Sequence, residues 1–88
     1  MTEKIVKVEN RAGVHARPSS MIVQLTKDFP CNVYFEMGTT RVNAKSIMGI
    51  ITLLASYGSE IKIIADGEGE AAAVETLANL FKNKFEES

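Results

Sequence analysis

Ser46-Ile47-Met48-Gly49-Ile50-Ile51-Thr52-Leu53-Leu54 is apolar and short enough to be either a buried strand or a helix, and the fold depends on which. Gly49 and the branched isoleucines weaken a helix. Ser46 is a good N-cap for one, and Gly58 offers a stop, so the stretch reads as a helix. At helical spacing Ile50, Leu53 and Leu54 cluster on one side, leaving Ile47, Met48 and Ile51 on an adjoining arc. Two readings stand for that second arc. Either the core takes up both arcs, or the second stays exposed as a partner surface, for which methionine is suited.

Downstream, Glu60 to Asp66 alternates as a strand, with Ile61, Ile63 and Ala65 opposite Lys62 and Ile64. Asp66-Gly67-Glu68-Gly69 is a loop. From Glu70 the stripe Ala73, Val74, Leu77, Leu80, Phe81 and Phe85 predicts a helix, with acidic residues early and Lys82 and Lys84 late, matching its dipole. Upstream, Val33, Phe35 and Met37 alternate with Tyr34 and Glu36, and Gly38-Thr39 turns the chain into Thr40 to Asn43. That predicts a hairpin with Gly38 at positive φ. Pro18, Met21, Ile22, Leu25 and Phe29 recur at helical spacing, and this helix ends before Pro30. Lys4 to Glu9 reads as the first strand, with Val6 and Val8 on one face. The order βαββαβα implies an α+β fold, helices layered on one face of a mainly antiparallel sheet. Tyr34, Glu36, Arg41 and Lys62 would supply the other, wet face.

One domain over residues 1–88 accounts for the 88-residue chain, and no repeat or linker suggests a second. Ten basic against eleven acidic side chains give a net charge of -1, without the basic excess of a nucleic-acid binder. Cys31 is the only cysteine, so no internal disulfide is expected, and a reduced thiol suits the cytoplasm. An alternating segment follows Met1-Thr2-Glu3-Lys4 in place of an apolar signal core, and no apolar run is long enough to insert in a membrane. No Gly-x-x-x-x-Gly-Lys loop and no metal-ligand cluster is present, so no nucleotide, metal or other cofactor is expected. Any phosphate would come from another protein.

The chemistry concentrates in Gly13-Val14-His15-Ala16-Arg17-Pro18, around the only histidine. Pro18 fits the first turn of a helix, where its missing N–H has no intrahelical partner, so the helix starts at His15. Gly13 allows a sharp turn that aims the imidazole and the amides of the first turn, those of Ala16 and Arg17, at one small volume. Free N–H groups at the positive end of a helix suit phosphate, and Arg17 adds a charge-assisted contact. His15 is then a phosphoryl acceptor; otherwise it is a surface histidine beside a proline-started helix. A histidine phosphatase would need a second acid or base, and the nearest upstream carboxylate, Glu9, falls at a strand end.

Taken with Asn43-Ala44-Lys45-Ser46-Ile47-Met48-Gly49, this motif resembles HPr, the histidine-containing phosphocarrier family of the bacterial phosphotransferase system, along essentially the whole chain. The resemblance implies an open-faced β-sandwich, three helices over a four-stranded antiparallel sheet in order 1-4-2-3. It implies that His15 accepts phosphate on Nδ1 from phosphorylated enzyme I and passes it to sugar-specific A domains, with Arg17 and the backbone of Ala16 and Arg17 stabilising the phosphate. It further implies regulatory phosphorylation of Ser46 by an HPr kinase/phosphorylase, read by a transcriptional regulator. Ala16, Ser20, Ile47, Met48 and Ile51 become the partner surface of a monomer. A regulatory binding module and a nitrogen-related paralogue are the alternatives. The chain departs from the family pattern at Ala12, where Ser or Asn is common, and at Ser19 and Ser20, where small apolar residues are usual and serines would make that part of the surface more polar.

Overall fold

Two short alternating segments and one hairpin assemble into a single sheet in the computed structural model, which describes residues 1–86. The strands are β1 (Thr2–Lys7), β2 (Asn32–Met37), β3 (Thr40–Asn43) and β4 (Glu60–Asp66), and the helices α1 (Ala16–Thr26), α2 (Ile47–Thr52) and α3 (Glu70–Lys82). The order in the sheet is β1-β4-β2-β3, all antiparallel. Helices cover one face and leave the other open, the expected α+β open-faced sandwich. Gly38, at φ 60°, makes the turn between β2 and β3, where Met37 pairs with Thr40.

The core forms where the alternating faces meet the helical stripes. Val33, Phe35, Ile61, Ile63 and Ala65 are buried against Ile22, Ile50, Leu77 and Phe81. Phe81 meets Phe35 edge-on at 5.8 Å and Phe85 at 4.9 Å between ring centroids, so the aromatic contacts run from the sheet through α3 to the chain's last described turn. Cys31 is buried and free just before β2, a structural position. On the open face Arg41 pairs with Glu36 at 3.1 Å and lies 5.4 Å from the Tyr34 ring centroid, as expected for a wet surface. Ile64 shares that face yet is buried, flanked across the sheet by Tyr34 and Glu3.

Several expectations are corrected. The first strand lies two residues earlier than Lys4 to Glu9, because past Lys7 the chain turns with the β4 entry: Val8 N–H donates to the Ser59 carbonyl and Gly58 N–H to that of Val8. In α1 the buried residues are Pro18, Ser19, Ile22 and Thr26, while Met21, Leu25 and Phe29 are only partly buried. The core-facing side is therefore rotated from the apolar stripe. Ser19 is wholly buried and cannot make the partner surface more polar. The segment after Ser46 is a helix, but it ends at Thr52 and not near Gly58. Leu54 turns to φ 56° and is 80% exposed, outside the core assigned to it. Ile50 and Leu53 are buried, whereas Ile47 and Met48 are exposed and Ile51 half-buried, which settles the second arc as surface. Phe85 reaches the core not as a further turn of α3 but through three left-handed residues, Lys84, Phe85 and Glu86.

Candidate functional site

The site starts from a loop held by its own backbone. Asn10 is buried, and its Nδ2 donates to the Gly13 carbonyl at 2.6 Å, while Gly13 N–H returns to the Asn10 carbonyl at 3.1 Å. Gly13 has φ 79°, and a Cβ there would lie 2.8 Å from the Ala55 carbonyl oxygen, so a side chain is excluded by both backbone and space. Val14 is buried and donates its N–H to that same oxygen at 2.9 Å. His15 follows as the N-cap of α1, exposed, with its carbonyl accepting the Ser19 N–H at 2.8 Å.

The histidine side chain does not cap its own helix. Its Nε2 meets the Ala12 carbonyl oxygen. A carbonyl can only accept, so in the neutral form of the ring Nε2 carries the proton and the lone pair lies on Nδ1. Ala12, where Ser or Asn is common in the family, thus selects the neutral tautomer with its main chain. Among the described residues nothing accepts from the amides of Ala16 and Arg17. With Pro18 having no N–H, those two are the free donors of the first turn. Both residues are exposed. Arg17 Nη1 donates to the Phe85 carbonyl at 3.3 Å, a single contact that leaves the rest of the guanidinium's donors for an anion.

Ser46 is the N-cap of α2, and its Oγ accepts the Gly49 N–H at 3.0 Å. The two helices pack on one another, and the buried Thr26 hydroxyl of α1 donates to the Ala44 carbonyl at 2.9 Å, two residues before that cap. Of the expected partner surface, Ala16, Ile47 and Met48 are exposed and Ser20 and Ile51 half-buried. Reading the sequence missed Asn10, Ala55 and Phe85. Asn10 had a signal, a turn-forming polar residue three positions before Gly13; the other two contribute backbone carbonyls, which no residue type marks. Among the described residues no three histidine, cysteine or carboxylate groups come together as a metal site would require, and no helix is long and apolar enough to cross a membrane.

Fold and site together define an open-faced α+β protein that presents an exposed imidazole beside two free amides at a helix start. A family model described as the PTS HPr component phosphorylation site matches residues 2–83. The chain is 48% identical over 87 residues to the phosphocarrier protein HPr of Treponema pallidum, covering 99% of each. A crystal structure of HPr from Thermoanaerobacter tengcongensis superposes with a TM-score of 0.96 at 39% identity, over 100% of this chain and 99% of that one. Crh of Bacillus subtilis, a catabolite-repression protein seen as a swapped dimer, matches with a TM-score of 0.77 at 39% identity, over 96% and 97%. The chain belongs to the HPr family of phosphocarriers of the phosphotransferase system.

Proposed function

We propose that His15 accepts a phosphoryl group on Nδ1 from phosphorylated enzyme I and passes it to sugar-specific A domains for sugar uptake in the cytoplasm. The observation that carries this reading is the Nε2 contact with the Ala12 carbonyl, which assigns the single proton of the neutral ring to Nε2 and its lone pair to Nδ1, on an exposed residue. In the transfer the Nδ1 lone pair forms a bond to phosphorus while the donor's bond to phosphorus breaks and its electron pair stays with the donor. The charge on the equatorial oxygens meets the Ala16 and Arg17 amides and the Arg17 guanidinium, so catalysis is positioning and electrostatics. Arg17 turns from the Phe85 carbonyl toward the phosphate in this step. All these groups belong to one loop and one helix, so the carrier works as a monomer.

Ser46 is the regulatory site in this reading. Phosphate there is favoured by the helix start, yet it sets a double negative charge beside Ile47 and Met48 and burdens an apolar docking surface. An HPr kinase/phosphorylase would place it and a transcriptional regulator would read it. The likeness to Crh supports a second, regulatory reading; the exposed His15 favours the carrier.

Incubation with enzyme I and phosphoenolpyruvate tests the assignment. Acid-labile phosphate should appear on the wild type and not on His15→Ala. Label that survives the substitution overturns it.

A further inference from the structure

Leu54 is an unusual residue to find where it is. It has φ 56°, a left-handed backbone that L side chains other than Asn, Asp and His rarely adopt, and its side chain is 80% exposed. The leucine therefore adds nothing to the core of the free protein, and a glycine would hold the same turn without strain. A strained position that contributes nothing to the core points to a use outside the folded chain.

Its place says what. The large apolar residues exposed among those described are Met1, Ile5, Ile47, Met48, Leu54 and Tyr57, so four of the six fall between 47 and 57. Leu54 lies between the exposed arc of α2 and Ala55, whose carbonyl holds the Val14 amide next to His15. A phosphoryl donor must bring its phosphorus to about 3–3.5 Å from Nδ1 before transfer. A protein that approaches so closely also covers the segment fastened to the histidine loop.

We propose that Leu54 is a specificity-determining contact for the phosphoryl donor, an apolar side chain held out by a strained backbone to enter an apolar hollow beside the donor's phosphorylated group. This rests on the carrier reading above. The left-handed turn has two effects: it ends α2 so that Ala55 can reach Val14, and it turns the leucine to solvent.

The test is steady-state phosphorylation of the chain by enzyme I with phosphoenolpyruvate, the chain's concentration being varied, for wild type, Leu54→Gly and Leu54→Met. Burying a leucine in a partner is worth enough that Leu54→Gly should raise KM about ten-fold, with kcat within about two-fold. The same variant should melt higher than wild type, since glycine relieves the turn. Leu54→Met should keep the wild-type KM, because it keeps the apolar contact. An unchanged KM for Leu54→Gly, a lower melting temperature for it, or a KM for Leu54→Met as high as that of Leu54→Gly overturns the proposal while the carrier reading stands. A wild type that takes no phosphate from enzyme I removes both.

Discussion

The amide of Val14 donates to the carbonyl of Ala55 at 2.9 Å, fixing the residue before the histidine to the segment that follows α2. Gly13 lies against the same oxygen, where a Cβ would come within 2.8 Å at a φ of 79°. Gly13→Ala must therefore push Ala55 away or abandon the left-handed turn. The expected loss is about 1–3 kcal/mol of unfolding free energy, and phosphorylation of His15 should slow because its loop moves. Thermal unfolding and labelling by enzyme I measure the two effects, and a variant that matches wild type in both would show that Ala55 yields without consequence.

Ser46 combines a structural role and a proposed regulatory one, and substitution separates them. Ser46→Ala leaves the Gly49 amide without its side-chain acceptor, with an expected loss of about 1 kcal/mol. Ser46→Asp keeps an acceptor and sets a negative charge at the positive end of α2, so its stability should stay within about 0.5 kcal/mol of wild type. Transfer to His15 should slow only for the aspartate, whose charge adjoins Ile47 and Met48. Urea unfolding and phosphorylation rates of both variants decide this. Equal slowing would assign the effect to the cap and not to charge.

Much of this architecture could be read from periodicity because most elements have one wetter and one drier face. Phe35 and Ile63 alternate with Glu36 and Lys62, and both strands lie where that pattern places them. Strand order is different: every strand carries the same alternation, so 1-4-2-3 followed from the resemblance and not from periodicity. Leu53 and Leu54 look alike in sequence, yet one is 4% exposed and the other 80%, because a left-handed turn that leucine normally avoids separates them. Phe85 continued the apolar spacing of α3 and reached the core by another backbone route. His15 and Pro18 marked the site since a proline at the first turn has a local cause. The carbonyls of Ala12, Ala55 and Phe85 were not legible, as every residue carries one.

Ser19 offers a stabilising change. It is wholly buried in α1, and its Oγ has no hydrogen-bond partner among the described residues. A hydroxyl desolvated without a partner costs roughly 1–3 kcal/mol, part of which Ser19→Ala should recover, and alanine is also the better helix former. The variant should gain about 1 kcal/mol and melt higher, with phosphorylation of His15 unchanged because the residue does not reach the surface. Calorimetry of the two proteins checks it; a lower melting temperature would mean that the hydroxyl is satisfied in solution.

Glu70 fastens the first strand to the start of α3. Its Oε2 accepts the Thr2 hydroxyl at 2.5 Å and the Met1 α-ammonium at 2.9 Å, and its Oε1 accepts the Gly67 N–H at 3.1 Å. The Thr2 hydrogen bond first, then those from the N-terminus and Gly67, pull the carboxyl from 4.5 down to about 2. The hydrogen bond to Glu70, followed by its charge, raises the α-ammonium above its ordinary 8.0. A depressed carboxyl stabilises the fold above its unfolded value and loses that contribution as pH falls, here between 4.5 and about 2. A raised ammonium acts oppositely, its contribution intact below 8.0 and lost as pH climbs through the folded value. The clasp is therefore strongest between pH 4.5 and 8.0. Glu70→Gln should melt below wild type in that window and converge with it below about pH 2. Because the Met1 ammonium is exposed and Glu70 only half-buried, added salt should narrow the difference. Melting temperatures of both proteins across pH measure it, and parallel curves at every pH would show that the carboxylate's charge plays no part.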